Sequence, residues 1–337
     1  MATLDPHKYA LQRLSTLRTE FAWKRGDGEA WSRALRKRLC EAVGLPVDRE
    51  VPLEVELIER RTFDGYERET LHFTGQPGMR VFAYLLIPHG IASRGPAVFC
   101  VPGHGPGVDI LVGEAPQDYQ NQFALQSVRS GFVTLAIEQI SFGHRMSAGT
   151  TDKGSSCVRD SMAALMFGST MIGWRCFDAS RGYDLLASRP EVDPNRIAIM
   201  SISGGGLTAF WAACLDERFA ASVVSGYFNT FFDSILSIEH CVDNFAPGLA
   251  NIVEMPDLAA LIAPRKLFVE SGTEDPIFPS QAFEKACRTA EAIYADLGES
   301  EAFASDHFPG DHVFYGKHSI PKLVEWLQAS SQSTSSA

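Results

Sequence analysis

Ser203 has the setting that a nucleophilic serine needs. Residues 196–200 are short and apolar, follow the turn Asp193-Pro194-Asn195, and read as a buried strand. Gly204, Gly205 and Gly206 come next, and residues 207–215 are small and apolar enough for a packed helix. A serine on a sharp strand-to-helix turn projects its hydroxyl from the top of a sheet. The helix behind it offers a backbone N–H to a developing oxyanion. The usual pattern is Gly-x-Ser-x-Gly; here Ser201-Ile202-Ser203-Gly204-Gly205 puts a serine in place of the first glycine. Ser201 is the poorer nucleophile, because Ser203 rather than glycine stands two residues after it. A phosphate loop is the competing use of such glycines, but no Gly-Lys-Ser/Thr follows and no Gly-x-Gly-x-x-Gly is present at this turn.

A serine hydroxyl is a weak nucleophile and needs a histidine base, itself oriented by a carboxylate. Sites in open α/β sheets form at the carboxyl ends of strands, and in enzymes that carry the nucleophile on such a strand-to-helix elbow the chain order is Ser, then Asp/Glu, then His. Asp275 lies in the glycine-opened loop 271–279, after a strand at 266–270, and is the preferred acid; Glu274 is the runner-up. His312 follows Gly310-Asp311 and precedes the last helix, which suits the base; His307, nearer the end of a strand at 301–305, is the rival. The second oxyanion donor is expected in Pro102-Gly103-His104-Gly105, so the backbone amides of Gly204 and His104 form the expected pair. His104, Asp109 and Glu114 fit no zinc spacing, and His240-Cys241-x-Asp243 reads as a hydrogen-bonding cluster, so no metal is expected.

The elements that must hold these residues alternate along the chain. Helical spacing over residues 31–43, ended by Gly44-Leu45-Pro46, makes 1–50 an N-terminal helical extension. Residues 53–88 alternate as strands and form the antiparallel edge of a larger sheet. Further strands are expected at 97–101, 132–137, 197–200, 220–225, 266–270 and 301–305, with helices at 117–130, 178–187, 207–215, 280–297 and 321–329. The pattern implies an α/β fold with a mostly parallel sheet and helices on both faces. The main domain is then 51–329, with an inserted loop or lid at about 226–255, and 330–337 is a polar, disordered tail.

Composition sets the outer limits. The chain has 337 residues, 45% of them hydrophobic, ample for a sizeable core. A net charge of −11 argues against nucleic acid or an anionic membrane as the main partner. The N-terminus lacks a signal-peptide apolar core, and the seven cysteines are scattered without Cys-x-x-Cys spacing. The expectation is a cytoplasmic protein with reduced thiols.

Five stretches carry a family resemblance: residues 102–105, 173–178, 189–197 running into the Ser203 turn, 240–248, and 256–265 running into 274–279. With them the sequence resembles the acetyl xylan esterase-like α/β-hydrolases (abhydrolase family 7), related to dienelactone hydrolases. The resemblance covers about residues 80–325. It implies an eight-stranded α/β-hydrolase fold, a triad on Ser203, Asp275 and His312, and no cofactor. The expected partner is a small-molecule ester, with a homo-oligomer left open. Phe228, Phe231 and Phe232, in a loop leaving the sheet beside Ser203, are expected to crowd the acyl site and favour acetyl-type esters; packing as a small satellite core is the alternative. The rival activities are a serine peptidase of the prolyl oligopeptidase type, for whose propeller the region before residue 80 is too short, and a catalytically dead binding scaffold.

Overall fold

Consecutive apolar residues on both faces of a strand require cover on both sides of the sheet. The computed structural model describes residues 2–46, 51–91, 94–150 and 155–329, so the expected tail at 330–337 lies outside the described residues. Among the described residues, nine strands form one sheet: β1 (Glu56–Phe63), β2 (Tyr66–Thr74), β3 (Arg80–Pro88), β4 (Gly95–Val101), β5 (Val133–Ile137), β6 (Val192–Ile202), β7 (Ala221–Ser225), β8 (Lys266–Gly272) and β9 (Phe303–Phe308). Their order is β1-β2-β3-β5-β4-β6-β7-β8-β9. The pairings β1–β2, β2–β3 and β3–β5 are antiparallel, and every other pairing is parallel. The eight strands implied by resemblance are corrected to nine. The extra strand is β1, an exposed edge held only by β2 among the described residues.

Among the described residues, ten α-helices surround the sheet: α1 (Pro6–Ser15), α2 (Glu29–Val43), α3 (Phe123–Arg129), α4 (Cys157–Met166), α5 (Met171–Ala187), α6 (Ser203–Leu215), the single turns α7 (Leu249–Ile252) and α8 (Ala259–Ile262), α9 (Ser280–Asp296) and α10 (Ser319–Ala329). The period-2 alternation of the strands divides the core. Ala97, Phe99 and Val101 of β4 pack on one side with α2, α5, α6 and α9, while Val98 and Cys100 pack on the other with α3 and α10. Leu35, Leu39 and Val43 recur every four residues along α2 and enter the first of these cores, so α2 packs directly on α5 and α6.

Several element boundaries differ from the sequence reading. The helix expected at 117–130 is confined to α3, because Asn121 and Gln122 both adopt left-handed backbone and break the chain there. α5 starts at Met171, seven residues before the expected 178, where the Thr170 side chain accepts from the Gly173 amide at 3.1 Å. The expected insertion after β7 is packed in place: Phe228, Phe231, Ile235, Leu249, Ile252 and Met255 are all buried in the same core as α6.

Candidate active site

The turn between β6 and α6 carries the strain that a displayed serine requires. Ser203 has φ +59°, a left-handed conformation that a side chain rarely adopts, and it opens the helix. The backbone is so close at the next turn that a Cβ on Gly205 would lie 2.6 Å from the carbonyls of Val101 and Pro102. Ser201, standing where the pattern has glycine, is fully buried and donates its hydroxyl to the Val101 carbonyl of β4. Its side chain therefore joins β6 to β4 and faces away from the cavity above the turn.

That cavity, of about 320 Å³, is lined by Ser203, Gly204, His104, Tyr119, Tyr227, His240, Phe278 and His312 among others. Asp275 sits beneath His312. Its Oδ2 is 2.7 Å from His312 Nδ1, and its Oδ1 accepts from the amides of Ile277 and Phe278, both at 3.0 Å. The carboxylate side chain is fully buried, so its orientation is fixed by these three donors. The imidazole of His312 is held between Tyr119 and Phe278, with ring centroids at 5.3 and 5.7 Å. Its Nε2 is buried and has no partner among the described residues. Tyr119, whose hydroxyl donates to the His104 carbonyl at 2.7 Å, lines the same cavity as Ser203. Burial raises the Tyr119 phenol, which keeps it a neutral hydroxyl.

The rival residues lie elsewhere. Glu274 is exposed to solvent, and His307 faces Glu284 at 3.5 Å and packs against Phe283. For the oxyanion, Gly204 is in the first turn of α6, where amides have no partner within the helix. In the loop after β4, the Gly103 amide donates to Gln120 Oε1 at 2.6 Å, whereas the His104 amide has no partner among the described residues.

A family model described as the abhydrolase family matches residues 10–294. The chain belongs to the abhydrolase family. YtaP of Bacillus subtilis (strain 168), assigned as a hydrolase, is 29% identical over 314 residues, covering 87% of this chain and 98% of that protein. Among solved structures, BF1801 from Bacteroides fragilis NCTC 9343, assigned as an acetyl xylan esterase, superposes with a TM-score of 0.77 at 19% identity, over 91% of this chain and 83% of that one. A glucuronoyl esterase from Solibacter usitatus superposes with a TM-score of 0.68 at 14% identity, over 93% and 97%. These likenesses establish an α/β-hydrolase fold.

In this abhydrolase the three phenylalanines expected to crowd the acyl site are not among the cavity's lining residues, which corrects that expectation. Successive side chains of extended chain point in opposite directions. Tyr227 turns into the cavity, and Phe228 turns away onto Phe210 of α6, with ring centroids at 5.3 Å. Phe231 and Phe232 line a separate groove with Leu14 and Glu254. The aromatic walls beside Ser203 are Tyr119, Tyr227 and Phe278. The sequence reading singled out neither Tyr119 nor Tyr227: Tyr119 lies in the stretch misread as helix, and Tyr227 immediately precedes the phenylalanine that was chosen.

His104 contributes a side chain as well as an amide. Its Nε2 lies 3.1 Å from Asp243 Oδ2, and Asp243 is in turn held by Arg175 Nη1 at 2.6 Å. Burial alone would lower the imidazole, but the neighbouring carboxylate prevails and lifts it to about 9. The stretch 173–178, one of those that carry the family resemblance, thus supplies Arg175 to this cluster and Asp178, which pairs with Arg145 at 2.7 Å.

Proposed function

We propose that this chain is a carboxylic ester hydrolase working through an acyl-enzyme on Ser203. The observation that carries this is the strained Ser203 turn facing the same cavity as a buried Asp275–His312 pair 2.7 Å apart. Rotation of the Ser203 hydroxyl towards His312 Nε2, which has no partner among the described residues, prepares attack; such contacts commonly tighten only once substrate is bound. The oxygen attacks the ester carbonyl and its proton passes to Nε2. Asp275 holds the ring in the tautomer with a proton on Nδ1 and stabilises the imidazolium. The negative charge on the carbonyl oxygen is met by the amides of Gly204 and His104, with the N-terminal end of α6 behind them. Collapse expels the alcohol, protonated by His312. Water then follows the same route in reverse and releases the acid.

A small acyl group is favoured, because the aromatic rings of Tyr119, Tyr227 and Phe278 close a modest cavity around the hydroxyl. The names of the structural relatives, an acetyl xylan esterase and glucuronoyl esterases, support esters attached to carbohydrate. The test is kcat/KM on p-nitrophenyl acetate, butyrate and octanoate beside an acetylated xylo-oligosaccharide, with a fluorophosphonate probe reporting Ser203. Acetate and the acetylated sugar should lead. No probe labelling and no turnover of any ester would overturn the reading.

A further inference from the structure

Next to the Ser203 cavity, four side chains with metal-ligand chemistry converge, and ester hydrolysis uses none of them. His104 Nε2, the Sγ atoms of Cys157 and Cys241, and a carboxylate oxygen of Asp243 all lie within 4.8 Å of one another. They come from three separate places: the loop after β4, the first residue of α4, and the packed segment after β7. Only Cys241 and Asp243 are neighbours in sequence, and with His240 they read as a hydrogen-bonding cluster; His104 and Cys157 join them only through the fold, so the sequence carries the expectation of no metal.

The three distances among His104, Cys157 and Asp243 fit the edges of a coordination polyhedron, and Cys241 Sγ lies within 4.8 Å of all three. A tetrahedral Zn²⁺ with ordinary bond lengths requires ligand–ligand edges of about 3.6 Å for S–N, about 3.3 Å for N–O and about 3.5 Å for S–O. The observed separations are 3.8 Å for Cys157 Sγ to His104 Nε2, 3.1 Å for His104 Nε2 to Asp243 Oδ2, and 3.4 Å for Cys157 Sγ to Asp243 Oδ2. The surrounding groups are those that steady metal ligands. Arg175 donates to Asp243 Oδ2 at 2.6 Å and to Cys157 Sγ at 3.2 Å, and Asn244 Nδ2 donates to Asp243 Oδ1 at 3.0 Å. Charge balances too: two thiolates and one carboxylate offset a dication and the Arg175 guanidinium, which matters because Arg175 and Asp243 are almost wholly buried.

We propose that His104, Cys157, Cys241 and Asp243 form a closed tetrahedral site for a borderline-soft divalent cation, Zn²⁺. Two Cys, one His and one Asp suit zinc better than the hard, oxygen-seeking cations. Four protein ligands leave no open position for a water nucleophile, so the metal is structural. Binding displaces whatever protons the two thiols and Nε2 carry. If the oxyanion role read above for the His104 amide holds, the metal also fixes that amide by anchoring its own side chain.

The test uses the full chain and needs no turnover, so it stands or falls apart from the esterase reading. Protein purified from zinc-supplemented cells should carry about one zinc per chain by elemental analysis. After chelation under reducing conditions, added cobalt(II) should give a thiolate-to-cobalt charge-transfer band together with the intense visible bands of tetrahedral cobalt. Cys241→Ser, at a half-buried position, should remove much of the charge-transfer band. It should also weaken metal binding by more than the 10–100-fold typical of changes around a site. Circular dichroism of the metal-free variant should match the metal-free parent, and zinc should raise the Tm of the parent alone. The proposal is overturned if cobalt gives no thiolate band, if the Cys241→Ser spectrum equals the parent's, or if reduced protein takes up no metal while peroxide joins Cys157 to Cys241.

Discussion

At the scale of single residues, the two serines at the turn divide their work by where they point. Ser203→Ala should lower kcat on short-chain esters by on the order of 10⁶ with the fold intact, since loss of a nucleophile removes most of the catalysis its partners support. Ser201→Ala should keep turnover and lose only the hydrogen bond to Val101. The reverse ranking would move the nucleophile. Asp275→Asn should cut kcat by up to ~10⁴ by favouring the wrong tautomer of His312. Glu274→Gln and His307→Ala should stay near the parent rate, because one faces solvent and the other faces Glu284. That Ser203, Asp275 and His312 come together was legible because each follows a strand, and the strands could be placed from the alternation along the chain. Tyr119 was not legible. It reaches His312 across tertiary space from a loop whose left-handed residues, Asn121 and Gln122, carry no strong local signature.

At the scale of elements, the segment leaving β7 sets both the position of the His312 imidazole and the shape of the cavity. Gly226 has φ +49°, and a Cβ there would come within 2.9 Å of His312 Cε1. Gly226→Ala should therefore displace the imidazole and depress kcat more than KM, with a fall in Tm from the strained backbone; an unchanged kcat would show that the loop yields instead of the ring. Phe228→Ala should cost about 3–5 kcal/mol of stability as a core truncation. It should leave the preference for acetyl over octanoyl esters untouched, as Phe228 packs on Phe210 outside the cavity; a gain of octanoate activity in this variant would contradict that geometry. Here the sequence was ambiguous for a physical reason. Tyr227 and Phe228 are both aromatic, and a single step of backbone decides which one faces Ser203. Composition records the rings, whereas the left-handed turn at Gly226 selects between them.

At the scale of the whole molecule, Glu138 at the end of β5 couples stability to pH. Its carboxylate accepts from the amides of Val108 and His144, each at 3.2 Å, and of Gln139 at 3.1 Å, joining the loops that follow β4 and β5. Burial is the largest influence and raises its pKa from 4.5 to about 7, against those donors and the nearby His144. The folded state thus holds this proton more tightly than the unfolded chain. The contribution is fully present below about pH 4.5 and is lost as pH rises through about 7, a change on the order of 3 kcal/mol. Denaturant unfolding of the parent and of Glu138→Gln at pH 5 and pH 8 should show the difference between them shifting against the parent at the higher pH. A constant difference would mean the carboxyl titrates normally. The α/β class was legible from alternation along the whole chain, because each buried strand had to be apolar on both faces. The ninth strand was legible too, from the pattern at residues 55–59, although the resemblance implied eight. The outer ladder of β1 pairs with no strand among the described residues, and such an edge invites a strand from another copy to join it. Leu57 and Ile58 are about half exposed there and would welcome the addition, while Glu56, Glu59, Arg60 and Arg61 make it electrostatically awkward. Those four charges act as guards against polymerisation, and a chain stripped of them would be expected to build ribbons edge to edge.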